Sequence, residues 1–248
     1  MKTYLFVYLG SALLALAITP IVIWFARRIK AFDAPGIRKV HSNPVPRIGG
    51  IAIFISAMLL ILPVLLLPNT VGKEFRDMKL QIIALLMTAT FIFIIGFIDD
   101  IKGMRARIKL IAQLLAAIII CTVGIRIKSV AVADGLTINF SWFSWPLTLF
   151  WIVGVTNAVN LSDGLDGLAA GISAIACGVI AILAIAGGQV VMAVLMLALL
   201  GSLSGFLVFN FNPAKVFMGD CGSMFLGFAI ASSSVLCANK SSALVGLA

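Results

Sequence analysis

Hydrophobic residues run along this chain in eight long blocks: Tyr4–Ala26, Ile48–Pro68, Leu80–Ile98, Leu110–Ile125, Trp142–Val159, Leu168–Gly187, Val190–Phe211 and Met224–Ala238. Each approaches the ~20 apolar residues that a helix needs to cross hydrocarbon. A helix also satisfies its own backbone hydrogen bonds in lipid, so the pattern predicts eight membrane-spanning helices. Pro20 and Pro63 fall inside blocks, which membrane helices tolerate when neighbours re-satisfy the freed carbonyl. Gly167/Gly171 and Gly201/Gly205 recur at the four-residue spacing that suits close helix packing. One stretch departs from the pattern. Between Ser129 and Phe140 two short β runs flank Asp134-Gly135, which predicts a hairpin. The first block is longer than a signal-peptide core and stops at Arg27-Arg28 without a small-residue cleavage site, so it is expected to stay as the first span.

Composition sharpens this. With 62% hydrophobic and 11% charged residues, the 248-residue chain is not an ordinary water-soluble globule. The formal net charge of +9 comes from 18 Lys and Arg against nine Asp and Glu. No basic face interleaves with aromatics, so nucleic acid is not the expected partner; cytoplasmic loops facing anionic lipid are. Eleven of the cations fall in the loops after spans one, three, five and seven, including Arg27, Arg28, Lys102, Arg105, Arg107 and Lys109. Seven fall on the other side. By the positive-inside rule the first side is cytoplasmic, the N-terminus is outside, and the hairpin is external. The expected fold is an all-α polytopic bundle in one integral-membrane domain, residues 1–248. Cys121, Cys177, Cys221 and Cys237 have no disulfide or metal spacing and read as small packing residues.

The candidate chemistry lies at span ends. Asp99-Asp100 closes an apolar helix, where the dipole disfavours negative charge and two adjacent carboxylates repel each other. Such a pair needs cations or a metal, and Lys102, Arg105, Arg107 and Lys109 follow. In Asn157-Ala-Val-Asn160-Leu-Ser-Asp163-Gly-Leu-Asp166-Gly, the paired Asn and paired Asp are each three apart, so within a helical turn each pair shares a face. Asp166 is placed to cap the following helix. The other hard-oxygen side chains suit Mg²⁺, which keeps waters and binds phosphates through one or two protein groups. Asp220 sits between glycines in Gly219-Asp-Cys-Gly222, a turn at the mouth of the last span. His41, the sole histidine, excludes a His-based zinc site; it lies in a basic loop that continues through Pro44, Pro46 and Arg47 to Gly49-Gly50. All these clusters fall on one side of the membrane, as an interfacial site for a phosphate- and metal-dependent reaction with a lipid-soluble partner requires.

The same stretches, His41-x-x-Pro-x-Pro-Arg-x-Gly-Gly50, Asp99-Asp100 with Lys109 and Gln113, Asn157-x-x-Asn-x-x-Asp-Gly-Leu-Asp-Gly-Leu-Ala-Ala-Gly171 and Phe217-Met-Gly-Asp-x-Gly-Ser223, resemble the bacterial polyprenyl-phosphate N-acetylhexosamine-1-phosphate transferases. The resemblance covers residues 38 to 228 in family order. The His-x-x-Pro-x-Pro-Arg loop looks more like members that use UDP-N-acetylglucosamine than those that use UDP-N-acetylmuramoyl-pentapeptide. It implies transfer of a sugar 1-phosphate from a UDP-sugar to undecaprenyl phosphate, with release of UMP, at the cytoplasmic face of the inner membrane. By similarity, Asn160 and Asp220 hold Mg²⁺ (or Mn²⁺), and Asp99 and Asp100 orient or deprotonate the lipid phosphate. Lys109 contacts phosphate, Asn157, Asp163 and Asp166 shape the nucleotide pocket, and His41 and Arg47 border it. A homodimer is a further expectation. Family members continue through more spans and a loop rich in His and Arg, so the chain reads as short for its family. A transporter or flippase is the rival, but it requires ionisable residues inside the spans, and these blocks carry none.

Overall fold

The computed structural model describes residues 2–29, 32–33, 45–68, 70–133 and 136–245. Every apolar block is helical: α1 (Lys2–Arg28), α2 (Gly50–Leu66), α4 (Lys79–Lys102), α5 (Ala106–Thr122), α6 (Ser144–Ser162), α7 (Leu168–Ala186), α8 (Val190–Asn210) and α9 (Gly219–Val245). Six of the eight are long and apolar enough to cross a membrane unaided. The others, α2 and α5, have 17 residues each. At 1.5 Å per residue that is about 25 Å, the short end of what crosses hydrocarbon. The expected hairpin is present as antiparallel β3 (Ser129–Ala133) and β4 (Leu136–Asn139), paired from Ser129↔Asn139 to Ala133↔Leu136. Its turn, Asp134-Gly135, lies outside the described residues.

Three short elements have no counterpart in the hydrophobic pattern. The pair β1 (Phe32–Asp33) and β2 (Val45–Pro46) is too short to leave a periodic signal. Helix α3 (Thr70–Asp77) is polar and eight residues long. Glu74 on it accepts a hydrogen bond from the Val191 N–H at 2.9 Å, satisfying a first-turn donor of α8.

Helices α8 and α9 form the centre. The chain packs α1 and α7 against α8, and α4 and α6 against α9, while α5 bridges α4 and α6. Gly201 and Gly205 are where α1 meets α8. A Cβ there would lie 2.2 Å from the Tyr8 carbonyl oxygen and 2.3 Å from that of Ala12. The second glycine pair differs: Gly171 faces open space, and Gly167 serves the turn before α7. Phe54 and Phe93 stack at 4.1 Å with Phe225 edge-on at 5.2 Å, tying α2 and α4 to α9. Large apolar side chains of the outer helices, among them Phe6, Leu13, Met87, Phe150, Ile175 and Ile182, are exposed. A surface this apolar is stable only against lipid. Inside, hydroxyls of Ser56, Thr88, Thr148 and Thr156 bond carbonyls one turn earlier at 2.6 Å, so they carry no unpaired donor into the membrane.

Because the spans alternate, one end of the bundle gathers the C-termini of α4, α6 and α8 and the N-termini of α2, α5, α7 and α9. The candidate residues lie at this end.

Candidate active site

Two helix ends meet head-on here, and that meeting resolves the cost of adjacent carboxylates. Asp99 and Asp100, both buried, occupy the last turn of α4. The two carboxylate oxygens of Asp100 accept the N–H groups of Asp220 and Cys221, each at 3.0 Å. Asp100 therefore sits on the positive end of the α9 dipole and satisfies two orphan donors of its first turn. Asp99 turns the other way. Its Oδ2 accepts from Lys109 Nζ at 2.8 Å, and its Oδ1 takes the Met104 N–H.

The close approach rests on glycine. Gly219 has φ +75°, and a Cβ there would stand 1.9 Å from the Arg47 carbonyl oxygen and 2.8 Å from the Asp100 carboxylate. The segment before α2 runs alongside: Phe217 N–H bonds Pro46 O (2.7 Å), Gly49 N–H bonds Phe217 O (2.9 Å), and Gly50 N–H bonds Met218 O (2.7 Å). The glycine pair of the first motif thus exists for backbone docking against the last.

Asp220 is the acid that opens outward. Its side chain is 28% exposed, against 6% for Asp99 and 2% for Asp100. Asn160 on α6 donates to Asp220 Oδ1 and to Ser223 Oγ, the latter at 2.9 Å. Lys109 Nζ lies 3.7 Å from Asp220, so one ammonium serves both Asp99 and Asp220. Asp163 is the C-cap of α6, where the chain leaves the helix. Burial pushes its carboxyl well above the usual carboxylate range; the Gly219 N–H bond pulls the other way, and the charges of Asp100 and Asp220 push it up again.

Other expected residues occupy places the spacing did not foretell. Asp163 and Asp166 do not share a helical face, because both lie in the turn between the end of α6 at Ser162 and the start of α7 at Leu168. Asp166 does not cap α7. Gly167, with φ 71°, holds that position without a side-chain bond. Instead Asp166 Oδ2 accepts from Asn212 Nδ2 and from the Ala214 N–H, both at 3.0 Å, tying the α6–α7 turn to the loop before α9. Asn157 donates to buried Gln113 at 2.7 Å and to the Val153 carbonyl at 2.8 Å, joining α6 to α5. Arg47 reaches the main-chain carbonyls of Asp99 and Asp100. His41 lies outside the described residues. Residues the spacing left without a role are Ser223, one turn along α9 from Asp220, and Asn212; only their side-chain partners reveal them. All four cysteines are buried and free.

The Asp166 latch has a measurable consequence. Asp166→Ala frees two donors of an exposed loop, and hydrogen exchange at the Ala214 amide is expected to quicken about tenfold, the equivalent of one net hydrogen bond near 1.4 kcal/mol. An unchanged rate there contradicts the latch.

Among the described residues, no three His, Cys, Asp or Glu side chains converge as around a metal ion. The available donor set is narrower: the outward carboxylate of Asp220 and the amide of Asn160, flanked by Asp99. Hard oxygens of this kind and number suit Mg²⁺, which completes its shell with water and phosphate. Asn160 turns its N–H groups to Asp220 here, and rotating the amide by a half turn presents Oδ1 to the same place. The residues fit the cation.

Residues 82–238, from α4 through the Asp220 helix, match glycosyl transferase family 4. A Bacillus subtilis (strain 168) protein described as a probable undecaprenyl-phosphate N-acetylglucosaminyl 1-phosphate transferase is 43% identical over 94% of this chain. The chain spans 63% of that relative's length. Phospho-N-acetylmuramoyl-pentapeptide-transferases of Bacillus mycoides (strain KBAB4) and Halalkalibacterium halodurans are 39% and 37% identical, over 90% and 91% of this chain and 72% of theirs. The matched segment covers more than half of the chain, and the chain belongs to glycosyl transferase family 4.

Proposed function

We propose that the protein transfers a sugar 1-phosphate, GlcNAc-1-phosphate first among them, from a UDP-sugar to undecaprenyl phosphate and releases UMP. The observation that carries this is the meeting of α4, α5, α6 and α9 at one end of a lipid-facing bundle, where contacts run from Asp99 through Lys109 to Asp220 and on to Asn160. This end is the one rich in Lys and Arg, which supports a cytoplasmic active site in the inner membrane with the N-terminus outside. The name of the Bacillus subtilis relative supports GlcNAc as the sugar; the pentapeptide-transferase relatives make UDP-N-acetylmuramoyl-pentapeptide the second reading.

In this reading an oxygen of the lipid phosphate attacks the sugar-bearing phosphorus of the nucleotide. A new P–O bond forms, the P–O bond to the bridging oxygen breaks, and that oxygen leaves on UMP. A phosphate monoester loses its second proton near pH 6, so the attacker is already charged at neutral pH and needs no strong base. Lys109, fixed by Asp99, draws the phosphate to the site, and Asp99 accepts a residual proton. Asp100 holds the α9 terminus and with it Asp220. Asp220 and Asn160 hold Mg²⁺, which when bound neutralises charge on the diphosphate. Catalysis is then mainly positioning and charge stabilisation.

Protein purified in detergent, given UDP-N-acetylglucosamine, undecaprenyl phosphate and Mg²⁺, is expected to release UMP, with UDP-N-acetylmuramoyl-pentapeptide the poorer donor. No UMP from any UDP-sugar removes the transferase reading. A reversed preference selects the second.

A further inference from the structure

Arg47 stands beside the site, its side chain 33% exposed and its guanidinium bonded to backbone. Its Nε donates to the Asp100 carbonyl at 2.9 Å, and its Nη2 donates to the carbonyls of both Asp100 and Asp99, the latter at 3.2 Å. The Asp100 carboxylate is farther, 3.9 Å from Nε. The guanidinium therefore addresses the main chain at the C-terminus of α4 and leaves the Asp100 side chain to the amides of α9. Its charge lies at the negative end of the α4 dipole, which offsets the repulsion that adjacent carboxylates meet there. The backbone of the same residue abuts the start of α9, since the Arg47 carbonyl oxygen excludes any side chain at Gly219. Next to it, Pro46 O accepts from Phe217 N–H. One residue thus touches both helix ends that carry Asp99, Asp100 and Asp220.

We propose that Arg47 is a positioning residue that aligns these three acids, and that it acts on the reaction through them rather than by binding the nucleotide. This rests on the transferase reading above. The planar fork is what the role demands: two nitrogens on one rigid plane span two consecutive carbonyls, which the single ammonium of lysine cannot do. Nucleotide affinity then owes little to Arg47, and turnover owes much.

The test pairs Arg47→Ala and Arg47→Lys with two readouts. In UMP release, Arg47→Ala is expected to lose at least about tenfold in kcat, while KM for UDP-N-acetylglucosamine stays within about twofold. Arg47→Lys, which keeps the charge and the fold, is expected to behave the same way in milder form. Low guanidinium chloride is expected to restore part of the kcat of Arg47→Ala, because the small ion refills the two-carbonyl seat. In hydrogen exchange without substrate, the amides of Asp220 and Cys221 are expected to exchange faster in both variants, with the middle of α4 unchanged. A raised KM with kcat intact overturns the proposal in favour of a nucleotide contact, as does wild-type exchange at Asp220 and Cys221. Should the wild-type protein release no UMP, the transferase reading fails by itself, and the exchange measurement still decides where Arg47 acts.

Discussion

Asp220→Asn is expected to lower kcat by at least about a hundredfold to a thousandfold and to flatten the dependence of the remaining rate on Mg²⁺. The substitution keeps shape and volume and removes one charge. Of the three acids at the junction of α4 and α9, Asp220 is the one that looks outward, and its side chain meets Asn160, Lys109 and the Asp99 carboxyl. With an amide at 220, Asn160 still has an oxygen to donate to, so the local fold survives. What is lost is the negative charge that draws a cation and its diphosphate. Rate measurements over a Mg²⁺ titration in the wild-type and variant proteins check this. A wild-type rate and a wild-type titration curve would remove Asp220 from the site.

Asp100→Ala has the second large effect, and it falls on stability as well as rate. The carboxylate accepts two N–H groups of α9 in a place almost without solvent. Truncation leaves both donors unsatisfied, at about 1–3 kcal/mol each. A loss of roughly 3 kcal/mol lowers Tm by about 10 °C in a chain of this size. Asp99→Ala is the control. It removes one partner of Lys109, which keeps Asp220 within 3.7 Å, and frees one backbone donor, the Met104 N–H, where Asp100→Ala frees two, so Tm is expected to fall by about half as much while kcat falls about a hundredfold. Thermal unfolding in detergent beside UMP release separates the two. Equal Tm losses would mean that the adjacent acids share one role.

Much of this molecule was legible before folding was considered. Each span announces itself because hydrocarbon demands a near-continuous apolar run, and the β3–β4 hairpin because Asp-Gly turns the chain between short β runs. The polar clusters were legible as clusters for a related reason: a membrane bundle exposes ionisable groups at its ends, and an acid in a span end needs a partner. The partners themselves were not. Asp100 and its amide partners are 120 and 121 residues apart. No local periodicity encodes which helix terminus will face which. Asp166 shows the same limit. Next to a helix start it reads as a cap, yet a left-handed glycine takes that position and the carboxylate bonds a loop 46 and 48 residues on. Helix α3 and the β1–β2 pair went unseen because each is too short, or too polar, to leave a period.

What the linear order of residues established, then, is an all-helical bundle of apolar spans with six of its nine acids and eleven of its 18 cations on one side, since solvation in lipid acts on each segment alone. What had to wait for packing is the division of labour among those acids. Asp99 holds Lys109, Asp100 holds α9, Asp220 faces outward, and Arg47 grips the carbonyls behind them. The reason is electrostatic and geometric at once. A carboxylate's role follows from which donors its oxygens meet, and those donors are helix termini brought together from opposite halves of the chain.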